Sequence, residues 1–196
     1  MLKDIKTSHG DTLIEVLFAI SVFSLVVVGS VSIMNQGTAI SQRALEITLV
    51  RNEIDAQAET LRFIHDSYVS VYPDTTSSSA IEWGKIATQG EGVAQASDLG
   101  TCDISKISKP FIINTKTAKY FDKSIISSTT STYSQVRYDS NQIITSAEGI
   151  WIEAVSLATT QSKLGYIDFH IRACWQSIGQ SVPVTLGTIV RLYEPR

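Results

Sequence analysis

The chain has 196 residues, of which 43% are hydrophobic and 18% charged, a balance that suits one folded domain with an appendage and excludes a disordered tail. Its formal charge of −3 arises from 16 Lys and Arg set against 19 Asp and Glu, scattered without a basic patch, so no nucleic-acid partner is expected. Only two cysteines occur, Cys102 and Cys174, too few for a zinc site of the paired Cys-x-x-Cys kind.

The first element is apolar. From Val16 to Met34 no residue is charged, and only Ser21, Ser24, Gly29, Ser30 and Ser32 interrupt the run. As a helix it would span about 28 Å, close to the hydrocarbon thickness of a bilayer. Lys3 and Lys6 precede it, which favours a cytoplasmic N-terminus with the bulk of the chain outside. An ordinary secretory signal, cut near Ser30-Val31-Ser32, explains the basic start and the apolar run. It leaves Glu15 without a purpose, because a carboxylate at the edge of a span asks for a positive partner.

The stretch HGDTLIEVLFAISVF, from His9 to Phe23, resembles the class III signal of type IV pilins and pseudopilins. In that family a prepilin peptidase removes a short basic leader ending in Gly, and the apolar segment is retained. The resemblance implies a leader of residues 1–10, cleavage between Gly10 and Asp11, a new and methylated N-terminus at Asp11, and an assembly segment carrying Thr12, Leu13 and Glu15. It also implies that Glu15 neutralises an N-terminal ammonium, its own or that of a neighbouring subunit. The physics agrees: a carboxylate that can be paired only at one axial position acts as a register device between helices. Two departures point to a divergent or minor member. Asp11 replaces the Phe or Met common after the cut, and no proline lies between Asp11 and Val71, leaving Gly29 and Gly37 to supply any bend.

Beyond Met34 the pattern becomes amphipathic. Ile40, Ala44, Ile47, Val50 or Arg51, Ile54, Ala58, Leu61 and Ile64 recur at helical spacing, with Gln42, Arg43, Glu46, Glu53, Asp55 and Glu59 between them. One helix is expected from Thr12 to about Asp66, with residues 11–34 as the membrane and assembly half, 35–66 as the amphipathic half, and 67–196 as a globular head.

Tyr72 to Ser79, with its proline and its Ser and Thr run, reads as an exposed loop. Ile81 to Thr101 reads as a connecting loop with one short helix. Strand signals then follow at Pro110–Asn114, Ala118–Ile126, Ser134–Asp139, Gly149–Leu157, Tyr166–Trp175 and Gly187–Glu194. The clearest alternation puts Ile167, Phe169, Ile171, Ala173 and Trp175 on a core face and Asp168, His170, Arg172 and Cys174 on a wet one. A helix followed by antiparallel strands gives an α+β head, which is also the layout of pilin heads. Cys102 and Cys174 are either one disulfide or two buried thiols. Export favours the bridge, which would close a loop of about 72 residues and restrict the unfolded chain by roughly 4 kcal/mol.

No catalytic signature stands out. His65 and His170 are isolated, and Asp168, His170 and Arg172 suit the solvated side of a strand. No Gly-x-Ser-x-Gly, phosphate loop or calcium loop is present, so neither an enzyme nor a cofactor is expected. The Ser127–Ser134 stretch reads as a flexible turn. The expected function is that of a pilin subunit, first held in the cytoplasmic membrane with its head outside and then built into an extracellular type IV filament, with the prepilin peptidase and other pilin subunits as partners. The alternatives are a pseudopilin of a type II secretion or DNA-uptake machine, and a secreted or anchored binding domain.

Overall fold

A computed structural model describes residues 11–97, 102–128, 130, 132–156 and 165–195. Helix α1 runs from Asp11 to Val71, five residues beyond the expected end, and stops where Pro73 can no longer continue it. Two compact units divide within it, one ending at Gln42 and the other beginning at Arg43.

In the second unit, α1 packs through Val50, Ile54, Ala58, Leu61 and Ile64, each no more than 4% exposed. Val50 rather than Arg51 therefore fills the ambiguous position. Ile40 and Ala44, expected in the same stripe, are exposed. The stripe thus begins lower on the helix than its spacing suggested.

After α1, Asp74 closes a turn by accepting from Thr76 N at 2.8 Å and Thr76 Oγ1 at 2.7 Å. Ser77 then caps helix α2 (Ser78–Ala87) through Ala80 N at 3.3 Å. Ser78 and Ser79, read as loop, are its first residues, because a serine is a poor interior helix former but a good cap. Ala80, Trp83 and Ile86 form its buried face.

The head is an α+β structure whose main sheet is antiparallel. Strands β1 (Ile112–Asn114) and β2 (Lys119–Phe121) form a hairpin. Strand β3 (Ile126–Ser127) pairs in parallel with β5 (Ile144–Glu148), whose other edge takes β4 (Gln135–Tyr138) antiparallel. The largest sheet joins β6 (Ile150–Val155), β7 (Tyr166–Trp175) and β8 (Val184–Tyr193) in that order. The expected strand Ala118–Ile126 is broken, since Asp122 caps a 3-10 turn at Lys123–Ile125 by accepting from Ser124 N at 2.9 Å. Strand β5 was not foreseen. Its sequence, ITSAE, has few large β-formers and takes its pairing from its neighbours. Leu157, the expected end of β6, lies outside the described residues.

Gly149 makes the sharp passage from β5 to β6. Its φ is +63°, and a Cβ there would collide with the carbonyl of Cys174. Gly149 N donates to Ser127 O and its own carbonyl accepts from Cys174 N, both at 2.7 Å. Bare backbone is required on both counts.

The core side of β7 consists of Ile167, Phe169, Ile171, Ala173 and Trp175, all at most 5% exposed. Trp83 of α2 meets Phe169 edge-on, with ring centroids 5.9 Å apart, and Phe111 meets the same ring at 6.5 Å.

Candidate functional site

The first unit shows apolar side chains without cover. Every described side chain from Thr12 to Leu45 is exposed, and Phe18, Phe23, Leu25, Ile33 and Met34 are between 69% and 73% exposed. This helix is long and apolar enough to cross a membrane, and none of its most apolar window is buried. An apolar surface of this extent marks a site for lipid or for other protein chains.

The serines do not spoil it. Ser21, Ser24 and Ser30 donate back to the carbonyls of Leu17, Ile20 and Val26, each at 2.8 Å. Their hydroxyl protons are thereby satisfied within the helix. The helix also runs unbroken through Gly29 and Gly37, where an added Cβ would meet nothing within 4 Å.

Glu15 stands on this surface, exposed. After it, the next basic residue along the helix is Arg43, so no cation of α1 lies within a turn of it. Gly10, on the other side of the expected cleavage point, lies outside the described residues, as do Lys3, Lys6 and His9. Asp11, Thr12 and Leu13 begin α1, and Leu13 is 65% exposed.

In the head, the side of β7 expected to be wet is partly covered, together with the neighbouring residues of β6. Cys174 is fully buried and bonded to Cys102, with Cα atoms 5.7 Å apart. Ser97 N donates to Glu153 Oε2 at 2.8 Å, and the Ser97 carbonyl accepts from Arg172. Trp151 Nε1 donates to Glu153 Oε1 at 2.9 Å, and Arg172 lies 3.4 Å from the same oxygen. Ser97 and Cys102 are therefore both held against the sheet, the one by a buried carboxylate and an arginine and the other by a covalent bond. Replacing both cysteines with alanine should lower the unfolding free energy by about 2–4 kcal/mol. A urea midpoint that does not move would show that the bridge contributes nothing.

Of the three polar residues singled out on β7, His170 and Arg172 meet, with Nδ1 and Nη2 3.5 Å apart, while Asp168 is engaged by Arg191. Asp168 takes a bidentate pair from Arg191, 2.7 Å to each oxygen, and those hydrogen bonds hold its carboxyl below the usual range. Arg191 also stacks 4.1 Å from the Tyr166 ring centre. His170 is pushed below its ordinary value by burial and then by Arg172. His65 is engaged elsewhere, with Nε2 2.9 Å from the Tyr193 carbonyl and its ring 4.9 Å from Trp83. Among the described residues, no group of three or more His, Cys, Asp and Glu is placed to hold a metal.

No protein-family model matches the chain, no curated protein is similar to it, and no solved structure matches it.

Sequence reasoning missed the polar residues that hold the head together. Glu46, placed on the solvent side of the stripe, is 9% exposed and accepts from Trp175 Nε1 at 3.1 Å and Ser177 Oγ at 2.6 Å. Gln57 is fully buried; its Nε2 donates to Ile113 O at 2.9 Å and its Oε1 accepts from Ile113 N at 3.1 Å. It satisfies both backbone groups of a strand residue, as a neighbouring strand would. The one available signal was its position on the apolar face, between Ile54 and Leu61. Glu53 is driven up by desolvation and leaves Oε1 buried without a hydrogen-bond partner.

Proposed function

We propose that this chain is a pilin-like subunit, of the minor kind, that anchors in a membrane and assembles helix to helix into an extracellular filament. The observation that carries the reading is the uncovered apolar half of α1 with one carboxylate, Glu15, near its start. A head that folds through its own core leaves that half free for lipid before assembly and for sister helices after it. In this reading a prepilin peptidase cuts after Gly10, the ammonium of Asp11 is the positive partner of Glu15, and no catalysis is assigned to the head. A pseudopilin of a secretion or DNA-uptake machine uses the same assembly chemistry.

The test is the N-terminal peptide of the mature protein by mass spectrometry. A start at Asp11, methylated or not, supports the reading. A start beyond Ser32, or an intact Met1, overturns it in favour of an ordinary signal or anchor on a binding domain.

A further inference from the structure

Strand β8 is the outer strand of its sheet. It pairs with β7 over ten residues without a register shift, and no strand lies on its other side among the described residues. In an antiparallel ladder alternate residues face the partner with both backbone groups. Glu194 N donates to Gly165 O at 2.9 Å, so Leu192, Val190, Thr188 and Leu186, in phase with it, face β7. Thr185, Gly187, Ile189 and Arg191 therefore turn their N–H and C=O groups to the open edge.

That row closes itself at both ends. The Tyr193 carbonyl, next in phase, is taken by His65 Nε2, and Pro183 at the other end has no N–H. The free stretch is thus symmetric about Thr188. From Val184 to Val190 it has neither charge nor proline, the devices that commonly protect an edge.

We propose that this edge pairs antiparallel with the same edge of a second copy of the chain, about a two-fold axis at Thr188. In that register Thr185 faces Arg191 of the second copy and Gly187 faces Ile189, so every free backbone group finds a partner and no like charges meet. Ile189, 61% exposed, lies over the bare backbone of Gly187 in the other copy, where a Cβ would come within 2.9 Å of the Ile171 carbonyl. Thr188 faces itself, a favourable cross-strand pair. Centring the pairing on Gly187 or Ile189 instead would engage Pro183 or the occupied Tyr193 carbonyl. The contact is isologous and closed, so it lies outside the repeat of a single filament and does not depend on the filament reading.

The test is oxidative cross-linking of the full chain in detergent, read on a non-reducing gel. A directly opposed, non-hydrogen-bonded pair has Cα atoms about 4.5 Å apart, within the reach of a disulfide, so Thr188→Cys should give a covalent dimer. Ile178→Cys, on an exposed loop off the edge, should not. Adding Ile189→Pro removes an outward N–H without touching the β7 ladder, and adding Ile189→Lys removes the apolar cover; each should abolish the dimer. Glu15→Ala should leave it intact. The proposal falls if Thr188→Cys gives no dimer, if Ile178→Cys gives as much, if the dimer survives Ile189→Pro and Ile189→Lys, or if Glu15→Ala removes it.

Discussion

Replacing Glu15 with alanine should, on the proposed filament reading, leave the protein exported, cleaved and folded, yet reduce its incorporation into filaments to background. The side chain is exposed on a helix whose neighbours are apolar, and the next basic residue along that helix is Arg43. Its removal therefore breaks nothing within the head. In an apolar medium, by contrast, a carboxylate without a partner is costly, about 2.5–3.5 kcal/mol near the centre of a membrane helix and less at its edge. Alanine makes the single helix easier to bury in lipid while removing the charge that fixes its axial position against a neighbour. Glu15→Gln should fail in the same way, because it keeps the shape and loses the charge. The measurement is the amount of each variant in sheared filaments relative to the amount in membranes. Normal incorporation of either variant would sink the filament reading.

Glu153→Ala should destabilise the head by about 3–5 kcal/mol, the range for breaking a buried ion pair from one side. The Glu153 side chain is 2% exposed and that of Arg172 13%, so solvent cannot take over the lost contacts. Alanine would strand the Trp151 indole N–H and the Ser97 backbone N–H along with the guanidinium. Pairing the change with Arg172→Leu should recover part of the loss, because the uncompensated charge goes with it. Chemical denaturation of the single and double variants checks both statements. A single variant within about 1 kcal/mol of the parent would contradict them, since a cost that small is typical of a surface pair.

The elements that the sequence announced are those whose pattern is carried by side chains of one kind. Helix α1 and strand β7 are long, and their apolar positions repeat at a fixed period, so each was placed within a few residues. Strand β5 and the break between β2 and β3 rest on pairing and on an Asp122 cap, which leave little trace in hydrophobicity. The polar residues were harder. The partners of Glu46, Gln57 and Glu153 leave no trace in the sequence, which shows the side chain but not the indole or backbone group waiting for it. On the apolar half of α1, Glu15 was conspicuous for the opposite reason: its surroundings are uniformly apolar.

Within the head, Glu46, Gln57 and His65 tie α1 to Trp175 and Ser177, to Ile113 and to Tyr193. The apolar stripe between them is nearly degenerate under translation: a slip of one turn, about 5.4 Å, would exchange one aliphatic residue for another. The three polar anchors lift that degeneracy, because the same slip carries every one of them out of hydrogen-bonding range at once. A pull along the axis of α1 would load these bonds together in shear, and the head would resist sliding until they broke together.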